Sequence, residues 1–111
     1  MKLQLHERVV LLQLLPREGD YAAVRTIRRA REMLSISPEE QKFYQFVEER
    51  DDKGNMKYNW NPERDREQVK DCPVDEYTTD VIRAKLTEMS HSGKLMDDHI
   101  SLFEKFVIAY Q

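Results

Sequence analysis

The residues best able to do chemistry are Asp97, Asp98 and His99, with His91 a short distance upstream. Two carboxylates and an imidazole can hold a divalent ion. Consecutive residues on a helix, however, project about 100° apart and do not converge on one ion. Asp97 and Asp98 also stand where the positive end of a helix favours negative charge. Helix capping is therefore the preferred reading, and no metal site is expected. Cys72 is the single cysteine, so no intramolecular disulfide can form. A cysteine nucleophile needs a cation or histidine nearby to lower its pKa. Lys70 is close, but Asp71 opposes it and no histidine is near, so Cys72 reads as a small packing residue. Gly19, Gly54 and Gly93 are scattered and form no phosphate-binding loop, and His6-Glu7 lacks the second histidine of a zinc-binding helix. The run Glu48-Glu49-Arg50-Asp51-Asp52 lacks the ligand spacing of a calcium-binding loop. No catalytic residue, metal or cofactor is expected, and the chain does not read as an enzyme.

Two other groupings point to binding. Phe43, Tyr44, Phe46, Tyr58 and Trp60 crowd onto a short stretch, and exposed aromatic side chains are what protein interfaces use. These five are the candidate partner-binding residues, for a protein partner or for self-association. The second grouping is Arg25, Arg28, Arg29 and Arg31, which with Glu32 give residues 21–34 a net charge of +3. Preceded by a short turn and another helix, they could form a helix-turn-helix that reaches phosphates, which makes nucleic-acid binding the alternative. Residues 38–52 weigh against it, because six carboxylates against Lys42 and Arg50 leave a net charge of −4.

The elements that must position these residues follow from periodicity and capping. Residues 5–15 are apolar nearly all round, which predicts a buried central helix stopped by Pro16. Asp20 predicts the cap of a second helix over 21–34, with Ala23, Val24, Ile27, Ala30 and Leu34 inward and Arg25, Arg28 and Arg29 outward. Ser37-Pro38-Glu39-Glu40 carries a capping box with proline at the first helical position, so a short helix starts there. The stretch 43–47 then turns β-rich, and Met56 to Asn61 alternates apolar with polar, which predicts a hairpin turning at Gly54-Asn55. A third strand is expected at 67–70, and the remainder of 62–71 reads as charged and exposed. Asp75 predicts the cap of a helix through residue 90 with Tyr77, Val81, Ala84 and Met89 inward, flanked by Ile82 and Leu86, and ended at Ser92-Gly93. A final helix from Asp97 would bury Ile100, Phe103, Phe106, Val107 and Tyr110. The expected fold class is α+β, with about four helices on a small antiparallel hairpin or three-stranded sheet.

The 111 residues suit one domain, and 18 Lys+Arg against 21 Asp+Glu give a net charge of −3, with no general attraction to nucleic acid or anionic lipid. No apolar run approaches the length of a membrane span, and the first residues lack a signal-peptide core, so no membrane association and a cytoplasmic location are expected. The segment Glu7-Arg8-Val9-Val10-Leu11-Leu12-Gln13-Leu14-Leu15-Pro16-Arg17-Glu18-Gly19, together with Ser101-Leu102-Phe103-Glu104-Lys105-Phe106, resembles a group of small uncharacterised proteins encoded by phages and prophages. The resemblance covers the N-terminal and C-terminal thirds of the chain. It implies a viral or prophage origin, in host cytoplasm or virion, and carries no site residue.

Overall fold

The computed structural model describes residues 1–109. Helix α1 (Leu5–Leu14) is the axis of the molecule. Its first turn is capped from afar: the Leu5 and His6 N–H groups donate to the Asp65 carboxylate at 2.7 and 3.3 Å. Just past its C-terminal end, Arg31 Nη2 donates to the carbonyls of Leu15 and Pro16 at 3.0 and 2.6 Å. Helix α2 (Tyr21–Leu34) starts at Asp20, whose side chain accepts from the Ala23 N–H. It buries Ile27, Ala30 and Leu34 as its spacing predicts. Val24, expected inward, is 43% exposed, because the buried stripe is centred on Ile27 and Leu34.

Helix α3 (Pro38–Tyr44) carries the expected capping box between Ser37 and Glu40 and runs further than its residue types suggest. Phe43 and Tyr44 belong to it, which corrects the expectation of a strand over 43–47. Capping and the apolar contact of Tyr44 with Leu5 and Val9 override β propensity here. Gln45 takes a left-handed conformation at φ 54°, ends the helix and turns the chain into β2.

Strands β2 (Val47–Arg50) and β3 (Met56–Asn59) pair antiparallel with Glu48 opposite Tyr58 and Glu49 opposite Lys57. The loop is Asp52-Lys53-Gly54 and begins two residues before the expected Gly54-Asn55 pair. Gly54 N–H donates to the Asp51 carbonyl at 3.0 Å, Asp51 N–H to the Asn55 carbonyl at 2.9 Å, and Gly54 sits at φ 81°. This is a β-turn closed by a left-handed glycine, a common form of three-residue hairpin loop.

Among the described residues no third strand joins this pair. Helix α4 (Pro62–Glu67) follows, and β4 (Lys70–Asp71) instead pairs antiparallel with β1 (Lys2–Leu3) at the other end of the chain. Two two-stranded sheets therefore replace the expected three-stranded one. Helix α5 (Glu76–His91) is capped by Asp75 and followed by Gly93 at φ 70°, as expected. Its buried face is turned by one residue from the expected stripe. Ile82 and Leu86 are central, Tyr77 is 47% exposed and Ala84 is exposed. Thr78 and Thr79 can enter the core because their hydroxyls donate to the Asp75 side chain and carbonyl at 2.8 Å each.

The C-terminal segment is a 3₁₀ turn (Asp97–His99), helix α6 (Ile100–Phe103) and a π-helical turn (Glu104–Ile108). Leu102, Phe106 and Val107 are buried, Phe103 is half-buried and Ile100 is 51% exposed, contrary to its expected inward position. Tyr110 lies outside the described residues. The fold is α+β, with six α-helices among the described residues rather than about four.

The main core joins Leu3, Leu11, Leu34, Ile82, Leu86 and Phe106, so it ties α1, α2, α5 and the C-terminal segment together. Each such side chain contributes about 1.5–3 kcal/mol on leaving water. A second cluster sits on the other side of α1, where Leu5, Val9 and Tyr44 receive Ile36, Phe43, Phe46, Tyr58 and Trp60.

Candidate interaction site

All five aromatic candidates gather in this second cluster. Tyr44 is buried, and burial followed by the nearby charge of Glu40 pushes its phenol pKa up. Phe43 meets Tyr44 edge-on with ring centroids 5.0 Å apart, and the Arg64 guanidinium lies 5.0 Å from the Phe43 ring centre. Phe46 stacks on Tyr58 at 5.7 Å and on Trp60 at 6.3 Å, with interplanar angles of 20° and 15°. Such ring pairs contribute about 0.5–1.5 kcal/mol beyond their buried area. The aromatics are thus neither a bare platform nor a closed core. Phe43, Phe46, Tyr58 and Trp60 are half-buried, with one side packed toward α1 and another left to solvent.

Alternation along the strands decides which side is which. Phe46 and Glu48 of one segment share a face with Tyr58 and Trp60 of the other, toward α1. Val47, Glu49, Lys57 and Asn59 occupy the outer face and are exposed. Between the inner face and α1 lie two clefts on either side of Tyr58. One, of about 310 Å³, is lined by Val9, Leu12, Gln13, Ile36, Phe46 and Tyr58, with Arg17 and Glu48 among its polar groups. The other, of about 230 Å³, is lined by His6, Val10, Gln13, Met56, Tyr58, Trp60 and Asp98.

Two buried polar devices hold this arrangement. Asp65 is 5% exposed and takes the His6 ring Nδ1 at 3.0 Å besides its two backbone donors. Helix α4 is thereby pinned to the start of α1, next to Trp60. Arg8 is fully buried, and its Nε donates to the Leu34 carbonyl at 3.2 Å. Its guanidinium also donates to the Ser35 carbonyl and pairs with Glu40. Burial raises the Glu40 pKa, but the Arg8 hydrogen bond, the Ser37 N–H and the charges of Arg8 and Lys70 outweigh it, and the group falls to about 2. A second buried acid, Glu7, accepts from Gln4 N–H at 2.9 Å and Lys105 Nζ at 2.7 Å. Its second oxygen has no hydrogen-bond partner among the described residues.

Arg8 and Asp65 were not among the residues singled out from the sequence. A detectable signal existed for Arg8, since Glu7-Arg8 are the charged pair inside an otherwise apolar helix. Asp65 offered none, because its segment is charged throughout and only tertiary contact distinguishes it.

The arginine grouping divides. Arg25, Arg28 and Arg29 are exposed on α2, with Arg28 Nε 3.6 Å from Glu32. Arg31 leaves that face to cap α1. His99 is buried and its Nδ1 accepts the Met96 N–H at 3.0 Å, so its ring closes the turn that begins α6. Among the described residues no three His, Cys, Asp or Glu side chains gather as a metal set. Cys72 is buried, and burial pushes its thiol pKa up, opposite to what a nucleophile needs. No helix of the described residues is long and apolar enough to cross a membrane. Compared with protein-family models, curated proteins and solved structures, the chain matches none of them.

Proposed function

We propose that this chain is a non-enzymatic protein-interaction module of phage or prophage type, whose working surface is the β2–β3 hairpin and the clefts beneath it. The observation that carries the reading is the half-buried aromatic set. Phe46, Tyr58 and Trp60 are stacked and held over α1, yet they line open clefts of a size to take an anchoring side chain from a partner. An aromatic patch with a polar rim is the usual composition of a binding hot spot. The Asp65 and Arg8 anchors fix the helices on either side of the hairpin, α4 and α3, to α1.

The test fills or empties the site without touching the main core. Gln13 is exposed and lines both clefts, so Gln13→Trp blocks them. Light scattering and affinity capture should find self-association or a retained protein with the natural chain, lost with Gln13→Trp and with Trp60→Ala. Unchanged association and unchanged partners in both variants overturn the reading.

Nucleic-acid binding through Arg25, Arg28 and Arg29 is the second reading, favoured by their common exposure on α2. It predicts a gel shift that weakens with salt and disappears in Arg25→Glu/Arg28→Glu/Arg29→Glu. Salt-insensitive binding, or binding intact in that variant, removes it.

A further inference from the structure

The edge of β2 carries a line of backbone groups that point away from β3, and the line is already in use at one end. Asp51 N–H donates across the hairpin to the Asn55 carbonyl, which makes 51 and 55 a hydrogen-bonded pair. Bonded and non-bonded pairs alternate along an antiparallel ladder. Glu49 and Val47 therefore bond toward β3, while Arg50, Glu48 and Phe46 present their N–H and carbonyl groups outward. Phe46 bears this out, since its N–H donates at 2.9 Å to the Gln41 carbonyl at the end of α3. Beyond that point the helix no longer covers the edge, and the outward groups of Glu48 and Arg50 have no partner among the described residues. A two-stranded ribbon is marginal by itself and gains from a third strand.

We propose that an extended peptide segment of a partner adds as a third strand along the β2 edge, apolar at alternate positions and basic between them. The proposal rests on the interaction-module reading and names its partner chemistry. Side chains on the inner face of such a strand would lie over the 310 Å³ cleft, where Ile36, Phe46 and Tyr58 select an apolar residue and Arg17 and Glu48 offset one another at the rim. Side chains on the outer face would neighbour Glu49, and the strand ends would run past Asp51 and Asp52, which selects lysine or arginine. Pairing of β2 with β2 of a second copy is disfavoured by the same residues. Antiparallel registers that oppose the unused outward groups of Glu48 and Arg50 centre on Glu48, Glu49 or Arg50, each of which then meets its own copy on the two-fold axis. Only the register centred on Glu49 offsets this, by setting Glu48 opposite Arg50.

A displayed library of random linear peptides panned on the full chain tests this. The retained peptides should alternate apolar with basic residues. Methylation of alternate backbone nitrogens in a retained peptide should weaken binding at least about tenfold, because strand addition needs those donors. Glu48→Pro removes an outward N–H at a position where an edge strand tolerates proline, and should weaken binding similarly while the Lys57 and Asn59 amide signals stay in place. Retained peptides with helical spacing or acidic character, or no retained peptide, overturn the proposal. Indifference to backbone methylation also overturns it, whether or not Glu48→Pro keeps the hairpin. If Gln13→Trp abolishes binding while methylation and Glu48→Pro leave it unchanged, strand addition falls and the cleft reading stands. If Gln13→Trp is harmless as well, both fall.

Discussion

Arg8 shows what a single side chain is asked to do in this chain. It is a cation with no access to solvent, and it satisfies two carbonyls at the end of α2 while pairing with the capping acid of α3. Removing one partner of a buried pair leaves the other charge and the carbonyls uncompensated. Arg8→Met should therefore lower stability by about 3–5 kcal/mol in denaturant unfolding. Glu40 gives the pH dependence of the same pair. Its folded pKa of about 2 lies below its ordinary 4.5, so the folded state holds the ionised form more tightly than the unfolded chain. That contribution is complete above about 4.5 and is lost as pH falls toward 2. Glu40→Gln should flatten the stability profile across this interval and lower its plateau at neutral pH. Asp65→Ala leaves the Leu5 N–H buried without an acceptor and should cost about 1–3 kcal/mol by the same measurement.

Among the elements, helices are legible in the sequence where a cap and a period agree. Asp20, Ser37 with Glu40, Asp75 and Gly93 all mark the boundaries they predict. Local preference misleads where it competes with a distant contact. Phe43 and Tyr44 have strand-forming side chains, yet the packing of Tyr44 against Leu5 and Val9 keeps them helical. The face of α5 was misjudged because Thr78 and Thr79 look polar until Asp75 absorbs their hydroxyls. The separate pairing of β4 with β1 joins residues some seventy positions apart, and no local pattern encodes it. The aromatic candidates were legible as a group, whereas the clefts beneath them depend on the helix and hairpin being apposed. At this scale the hairpin turn is the clearest target. Gly54 has open space around it, so Gly54→Ala meets no clash and pays only for φ 81°. It should destabilise the hairpin by about 1 kcal/mol, seen as weaker Trp60 environment signals in fluorescence with the helical circular dichroism retained.

For the molecule as a whole, the two apolar clusters differ in depth. The main core holds fully buried side chains from four regions of the chain, while the aromatic cluster is open on one side. Leu86→Ala should cost about 2–5 kcal/mol of global stability. Tyr58→Ala should leave global unfolding nearly unchanged and act through local opening. Hydrogen exchange separates the two: amides of β2 and β3 should exchange through local fluctuations, and those of α1 and α5 only through global unfolding.

Both clusters press on opposite sides of α1, since Leu5 and Val9 serve one and Leu11 and Leu15 the other. A molecule settling over the hairpin thus braces a wall that the entire chain shares. Its arrival would register far from the contact, as a rise in melting temperature and as slowed deuterium uptake along α1. Heat alone could then sort candidate binders, with neither a label nor a prior guess at their identity.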